Sequence, residues 1–411
     1  MDASPPAART AFRRDLRAAL HAARGAHTRK TTAARDRLFA LWTDYCDSLH
    51  VPASLSHTTN PDLRLAYLLV FGLRYRQTGQ TGHPVRATSV EDALLAVGAG
   101  ISHLGAPDPR RDPHRPGYNH PLLVAFLASL RREDDPADRV YPANLTILRN
   151  LDATLDFNDP VDGPANRAVR DLAIAAFFWL MRPAEYLKPS TAGGRSQAFR
   201  LQDIAFTIRD RLVTATAGPC NDEDIAHISY ATLTFSDQKN AVRGEQVGHR
   251  PSGDPLLCPC RALARLVLHL RQHHAPSDTP ICAYFDPAGR ISYVPPDWIT
   301  NGLRHAARAL QPRTGIPPDK ISARSLRPGG ATALLCAGVD PNHIQLLGRW
   351  KSDAMLRYLR VAAASRHTNY AGLMLRHGTY TFTPARPVAP HDPLLPRKAP
   401  AAVVAPLRRH R

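Results

Sequence analysis

The chain has 411 residues, 44% of them hydrophobic, which is long enough for two domains with packed cores and too apolar for a disordered polymer. Lys and Arg number 53 against 35 Asp and Glu, a net charge of +18; such a balance favours a polyanionic partner, nucleic acid first, although an Arg-, Ala- and Pro-rich composition also fits a GC-rich genome. No apolar run reaches the roughly 18 residues of a membrane span, and Met1-Asp-Ala-Ser-Pro-Pro lacks the layout of a signal peptide, so an intracellular protein is expected.

In chain order, residues 1–30 read as a basic leader, disordered or a frayed helix. Residues 31–132 read as a small helical bundle. Leu38, Leu41, Trp42 and Tyr45 repeat at helical spacing. Asn60-Pro61 opens a second helix, Thr88 to Glu91 reads as a capping box for a third, and Asn119-His-Pro begins a fourth. Residues 133–144, with their prolines and acids, read as a linker. Helices are expected near 145–156 and 164–181, strands within 198–249, then helices at 260–273, 297–310, 325–338, 341–348 and 353–375. The Pro- and Arg-rich residues 384–411 read as a disordered tail. The fold class is mainly α with a small antiparallel β-sheet (α+β).

Six scattered cysteines are too few for a disulfide framework. Cys258-Pro-Cys260 with His269 and His273 is spaced too tightly for a zinc finger. It reads as a strand-to-helix corner followed by a helix whose histidines, His274 included, are solvated. No Walker loop or Gly-rich phosphate cradle is present in the sequence.

Four segments carry groups suited to phosphate chemistry. Arg182-Pro-Ala-Glu185 ends an apolar helix; taken alone it is a helix-end salt bridge. Phe235 to Gly244 reads as a hairpin tip carrying Lys239, which alone is a solvated charge. Arg324-Ser-Leu-Arg327 heads a helix followed by Pro-Gly-Gly-Ala-Thr-Ala-Leu. Asp340-Pro341 caps the next helix, and Gly348-Arg349-Trp350 precedes Tyr358, eight residues after Trp350. A lone Tyr on an amphipathic helix is usually core, but this ordered set is far more specific than any member of it.

Together these segments resemble the tyrosine recombinases, the phage-integrase family. The resemblance covers residues 145–383 as the catalytic domain, and residues 31–132 are similar to the helical core-binding domain that precedes it. It implies two domains clamping double-stranded DNA, in a homo-oligomer that is a tetramer on paired sites, with a C-terminal segment such as Tyr370 to Leu375 exchanged between protomers. It further implies that Arg182 and Arg327 bind the scissile phosphate, with Glu185 supporting Arg182. Lys239 would protonate the leaving 5′ oxygen, Arg243 being a weaker candidate. Trp350 would offer its indole N–H to a non-bridging oxygen, and Tyr358 would be the nucleophile that forms a 3′-phosphotyrosine. No metal and no nucleotide cofactor are implied.

One position departs from the family: Arg324 stands where a His is usual. Arg cannot exchange a proton near neutral pH, so Arg324 would stabilise phosphate charge without acting as a base. The wording around Arg327, Trp350 and Tyr358 looks most like eukaryotic mobile-element recombinases, the Crypton and DIRS-like groups, which would place the protein in a nucleus. The leading expectation is a recombinase or integrase that breaks and rejoins DNA. The alternative is a recombinase-derived DNA-binding protein with weak or no catalysis. A helical protein- or RNA-binding scaffold would leave the ordered residues as coincidence.

Overall fold

A computed structural model describes residues 10–12, 14, 15, 18, 29–135, 140–187, 198–235 and 244–350. The helix expected at 353–375 and the tail from 384 lie outside them. The described part is mainly helical with small antiparallel sheets, the expected class. Among the described residues no helix is long and apolar enough to cross a membrane.

Four helices come first: α1 (Arg29–Ser48), α2 (Pro61–Thr78), α3 (Ala87–His103) and α4 (Pro121–Glu133). Their buried faces form one core running from Leu38 to Leu130. At its centre Trp42 meets Phe71 edge-on, with centroids 5.4 Å apart, and Tyr75 stacks on Phe71. Asn60 caps α2 by accepting from the N–H groups of Asp62 and Leu63, with Pro61 in the first turn, where no intrahelical donor is needed. The capping box expected at Thr88 does not form. Helix α3 starts two residues earlier, with Arg86 in the cap position, and the carboxylate of Asp134, beyond α4, accepts the Ala87 N–H at 3.1 Å. Asp134 also pairs with Arg76, so one carboxylate ties three segments together. Glu91 pairs with Arg131 instead.

A second core runs from Ala143 to Leu326. It is built from α5 (Leu145–Thr154), α6 (Gly163–Phe178), the one-turn α7 (Pro183–Tyr186), α9 (Pro259–Gln272) and α10 (Pro296–Thr314). Helix α6 is central: Val169 and the whole run Leu172–Phe177 are buried, as expected of a helix packed on all sides. Its single buried acid, Asp171, is held by Arg170 at 2.9 Å and by Arg265 from α9.

The expected strand region resolves into β1 (Ile204–Ile208), β2 (Arg211–Thr214), β3 (Ile228–Phe235) and β4 (Glu245–His249), with a short helix α8 (Asp222–Ala226) between β2 and β3. The order is β2-β1-β3-β4, antiparallel throughout. Alternation fixes the faces: Ile204, Phe206 and Ile208 are buried along β1. A further hairpin, β5 (Ala283–Phe285) with β6 (Ile291–Tyr293), was not expected from the sequence; its strands are too short to set up a pattern.

His269 is not solvated as expected. It is half-buried, and its Nε2 accepts the Phe285 N–H at 2.9 Å, while His273 stacks on the Phe285 ring. No group of three or more His, Cys, Asp or Glu among the described residues is arranged to hold a metal ion.

Helix α11 (Leu326–Cys336) and helix α12 (Pro341–Gly348) close the described chain. Two glycines let α11 approach its neighbours at backbone distance. A Cβ on Gly329 would collide with the Ala143 carbonyl, and one on Gly330 with the Phe177 carbonyl near the end of α6. The last residues of the segment expected as a linker, 133–144, are themselves anchored. The N–H groups of Tyr141 and Ala143 donate to the carbonyls of Lys320 and Ser325 at 2.9 and 3.0 Å.

Candidate functional site

Two helix C-termini, those of α6 and α12, meet beside the head of α11. A helix end leaves its last carbonyls without intrahelical partners and carries a partial negative charge. Here two arginines satisfy them. Arg327, on the first turn of α11, donates Nη1 to the Leu180 carbonyl at 2.8 Å and Nη2 to the Gly348 carbonyl. Arg349 donates to the carbonyls of Trp179, Leu180 and Leu347 at 3.1, 3.2 and 2.9 Å. Each guanidinium therefore bridges the same two helix ends, a geometry suited to a planar fork of five donors.

The backbone bends to permit this. Leu180 and Arg349 both lie in the left-handed region, at φ +50° and +57°. That conformation costs a side-chain-bearing residue about 1–2 kcal/mol, and at the position after a helix it normally falls to Gly. The side-chain bonds of Arg349 and the two donors on the Leu180 carbonyl offset that cost.

Glu185 joins the outer arginine to this pair. As the third residue of α7 it accepts the Arg182 N–H at 2.7 Å and Arg182 Nη1 at 2.8 Å, closing the one-turn helix onto its own start. Its Oε2 also accepts from Arg349 Nη2 at 3.3 Å. Exposure separates the roles: the Glu185 and Arg349 side chains are 3% and 2% exposed, the Arg182 side chain 22%. Burial draws the Arg349 guanidinium down to about 10, against the upward pull of Glu185; it remains a cation at neutral pH. Two guanidinium groups, those of Arg182 and Arg349, share the Glu185 carboxylate, and Arg327 joins them through the Leu180 carbonyl, so three cations gather around one carboxylate, a charge balance that favours an anion.

Aromatic rings frame it. The Arg327 guanidinium lies 4.2 Å from the centre of the half-buried Trp350 ring. Arg349 lies 3.6 Å from the centre of Phe235, the last residue of β3. Both contacts are cation–π in kind. Phe235 faces Glu245 across the β3–β4 ladder, so the base of that hairpin stands against the arginine cluster. The Trp179 indole donates to the Val247 carbonyl at 3.1 Å, fixing the end of α6 to β4. Tyr186 Oη donates to the Ala323 carbonyl at 2.9 Å, fixing α7 to the turn before α11; burial pushes its hydroxyl pKa up.

Of the residues singled out in the sequence, Arg182, Glu185, Arg327 and Trp350 come together through this network. Arg324 is exposed in a 3-10 turn (Ala323–Ser325) capped by the Ser322 hydroxyl, and takes no part in the buried pairs. Lys239, Arg243 and Tyr358 lie outside the described residues. Sequence reasoning missed Arg349. An Arg beside a helix-ending Gly is ordinarily solvated, and nothing local signals that two distant carbonyls and a carboxylate await it.

No protein-family model and no curated protein matches the chain. Among solved structures, it is similar to the Tn1549 transposon integrase in complex with a circular intermediate DNA. The TM-score is 0.45 at 11% identity, covering 88% of this chain and 97% of that one. A variant of the same integrase with a circular intermediate DNA gives a TM-score of 0.47 at 12% identity, with the same coverage. The XerA recombinase gives 0.32 at 11% identity, covering 84% of this chain and all of that one.

Proposed function

We propose that the chain is a DNA-binding recombinase or integrase of the tyrosine type, which breaks and rejoins double-stranded DNA. The observation that carries this reading is the convergence of Arg182, Arg327 and Trp350, far apart in sequence, around one buried carboxylate and two helix ends. A phosphodiester is an anion, and attack on it by an oxyanion requires its charge to be matched. Two guanidinium forks favour the more negative pentacoordinate transition state.

In this reading Arg182 and Arg327 bind the non-bridging oxygens, Trp350 adds its indole N–H, and Arg324 adds charge from the exposed turn. Tyr358 Oη, its proton lost to water because Arg324 cannot accept it, attacks phosphorus as the phenolate, forming the Tyr–phosphate bond as the bond to the 5′ oxygen breaks. Lys239 gives its proton to that oxygen. The resulting 3′-phosphotyrosine keeps the bond energy, and attack by another 5′ hydroxyl reverses the step. No external energy source is needed. The protein acts as a homo-oligomer on paired sites, with residues 31–132 and 145–383 on opposite sides of the duplex. The mobile-element placement, Crypton or DIRS-like, belongs to the same proposal.

The test is covalent capture. Incubation with nicked suicide duplexes should give an SDS-resistant protein–DNA adduct that disappears in Tyr358→Phe; an adduct that persists in that variant rules out Tyr358 as the nucleophile. The exposed Arg324 in a His position favours a second reading, a recombinase-derived DNA-binding protein that no longer cuts. That reading is supported if duplex binding survives and no substrate yields an adduct.

A further inference from the structure

We propose that Arg349 is a positioning residue for the candidate site, a role that rests on the strand-transfer reading above. It sets Trp350 against Arg327 and holds Arg182 in place through Glu185, without itself touching DNA.

Position in the chain and burial both carry this. Arg349 is the residue before Trp350, and its left-handed backbone decides how the chain leaves α12 toward that ring. Its side chain is 2% exposed, too buried to meet a phosphate on the surface. Every described partner of its guanidinium belongs to an element that places another member of the site. The carbonyls of Trp179 and Leu180 end α6, and that of Leu180 also receives Arg327. The Leu347 carbonyl ends α12, just before Gly348, whose own carbonyl receives Arg327. Glu185 Oε2, which Arg349 Nη2 approaches at 3.3 Å, is the same atom that accepts the Arg182 N–H. The face of the guanidinium covers Phe235, where β3 ends and the hairpin segment bearing Lys239 begins. One buried cation thus links the mounts of Arg182, Arg327 and Trp350. Lys keeps the charge but lacks the planar fork needed to reach several acceptors at once.

The experiment uses the full chain in a Trp298→Phe background. Trp42 and Trp179 are fully buried, so acrylamide then reports on Trp350. Arg349→Lys should keep the wild-type far-UV spectrum and bind duplex DNA within about twofold, while Trp350 quenching about doubles and single-turnover cleavage of a nicked suicide duplex falls about tenfold. In a cycle with Trp350→Phe, where only cleavage is read, the two cleavage losses should be far from additive, because both variants disturb the same contact. A folded Arg349→Lys protein with unchanged quenching overturns the proposal, as do fully additive losses. Should Arg349→Lys fail to fold, Arg349→Gln, which retains donors without the buried charge, is read by the same criteria. If the wild type forms no adduct on any duplex, the strand-transfer reading falls, and quenching alone decides whether Arg349 places Trp350.

Discussion

Arg327 and Arg349 donate to one and the same oxygen, the carbonyl of Leu180, at 2.8 and 3.2 Å. Two like charges sharing an acceptor would separate in water. Here they are held by a second helix end, whose Leu347 and Gly348 carbonyls take the opposite edges of the two forks. The negative ends of two helices and one glutamate are the local balance for the cations.

Removing that glutamate should therefore be costly. Glu185→Ala takes the carboxylate away from Arg182 and from a buried Arg349, and is expected to destabilise the protein by about 3 kcal/mol in urea unfolding. Glu185→Gln retains an acceptor and should lose less than half as much. Equal losses in the two variants would show that the charge of Glu185 is immaterial.

Gly330 should tolerate no side chain. In Gly330→Ala the new methyl meets the Phe177 carbonyl and the Leu180 side chain. Backbone cannot step aside cheaply, so a loss of about 2 kcal/mol or more is expected. A thermal melt checks this, and an unchanged midpoint would mean that α11 does not lie this close to α6. Gly338, at φ +80° with open space around it, offers the contrast: Gly338→Ala should fail through backbone strain rather than collision.

Arg324 and Arg327, three residues apart, should part company in every assay. Arg324 is exposed, so Arg324→Ala should leave stability within about 0.5 kcal/mol and flatten the salt dependence of duplex binding by up to about one unit of slope. Arg327→Ala strips donors from two buried helix ends and should cost about 3 kcal/mol before any DNA is added. Similar urea midpoints for the two variants would contradict this assignment.

Acid should act through His269. Burial first, then His273 and Arg167, lowers its pKa from 6.5 to about 4. Between those values the unfolded chain binds the proton and the folded one does not. The stabilising contribution is thus complete above about pH 6.5 and lost as pH falls toward 4; screening at the half-buried ring trims it to roughly 1–2 kcal/mol by pH 4.5. Urea unfolding at pH 7.5 and 4.5 measures the difference, and His269→Gln should shrink it by most of that amount.

Much of this arrangement was legible in the sequence because it is written in short-range signals. Asn60-Pro61 and Asp340-Pro341 mark helix starts by capping chemistry, and both helices begin there. Phe235 and Glu245 bound the hairpin expected between them. The capping box at Thr88 failed because a rival acceptor, Asp134, lies 47 residues from Ala87 in the chain. His269 failed for a related reason: its helical period says which face it shares, not that the Phe285 backbone will come to rest on it. Arg349 shows the limit most clearly. Apart from the nearby Leu347 carbonyl, its partners come from elements as much as 170 residues away, and no window of sequence contains them.

The bonds from Tyr141 and Ala143 to Lys320 and Ser325 have a mechanical consequence. They fasten the chain, as it arrives from the first core, to the turn two residues ahead of Arg327, and Gly329 lets that strap lie directly on α11. By its bonds, then, the stretch 141–143 belongs to the second core rather than to a free spacer, and it forms part of the footing on which Arg327 stands.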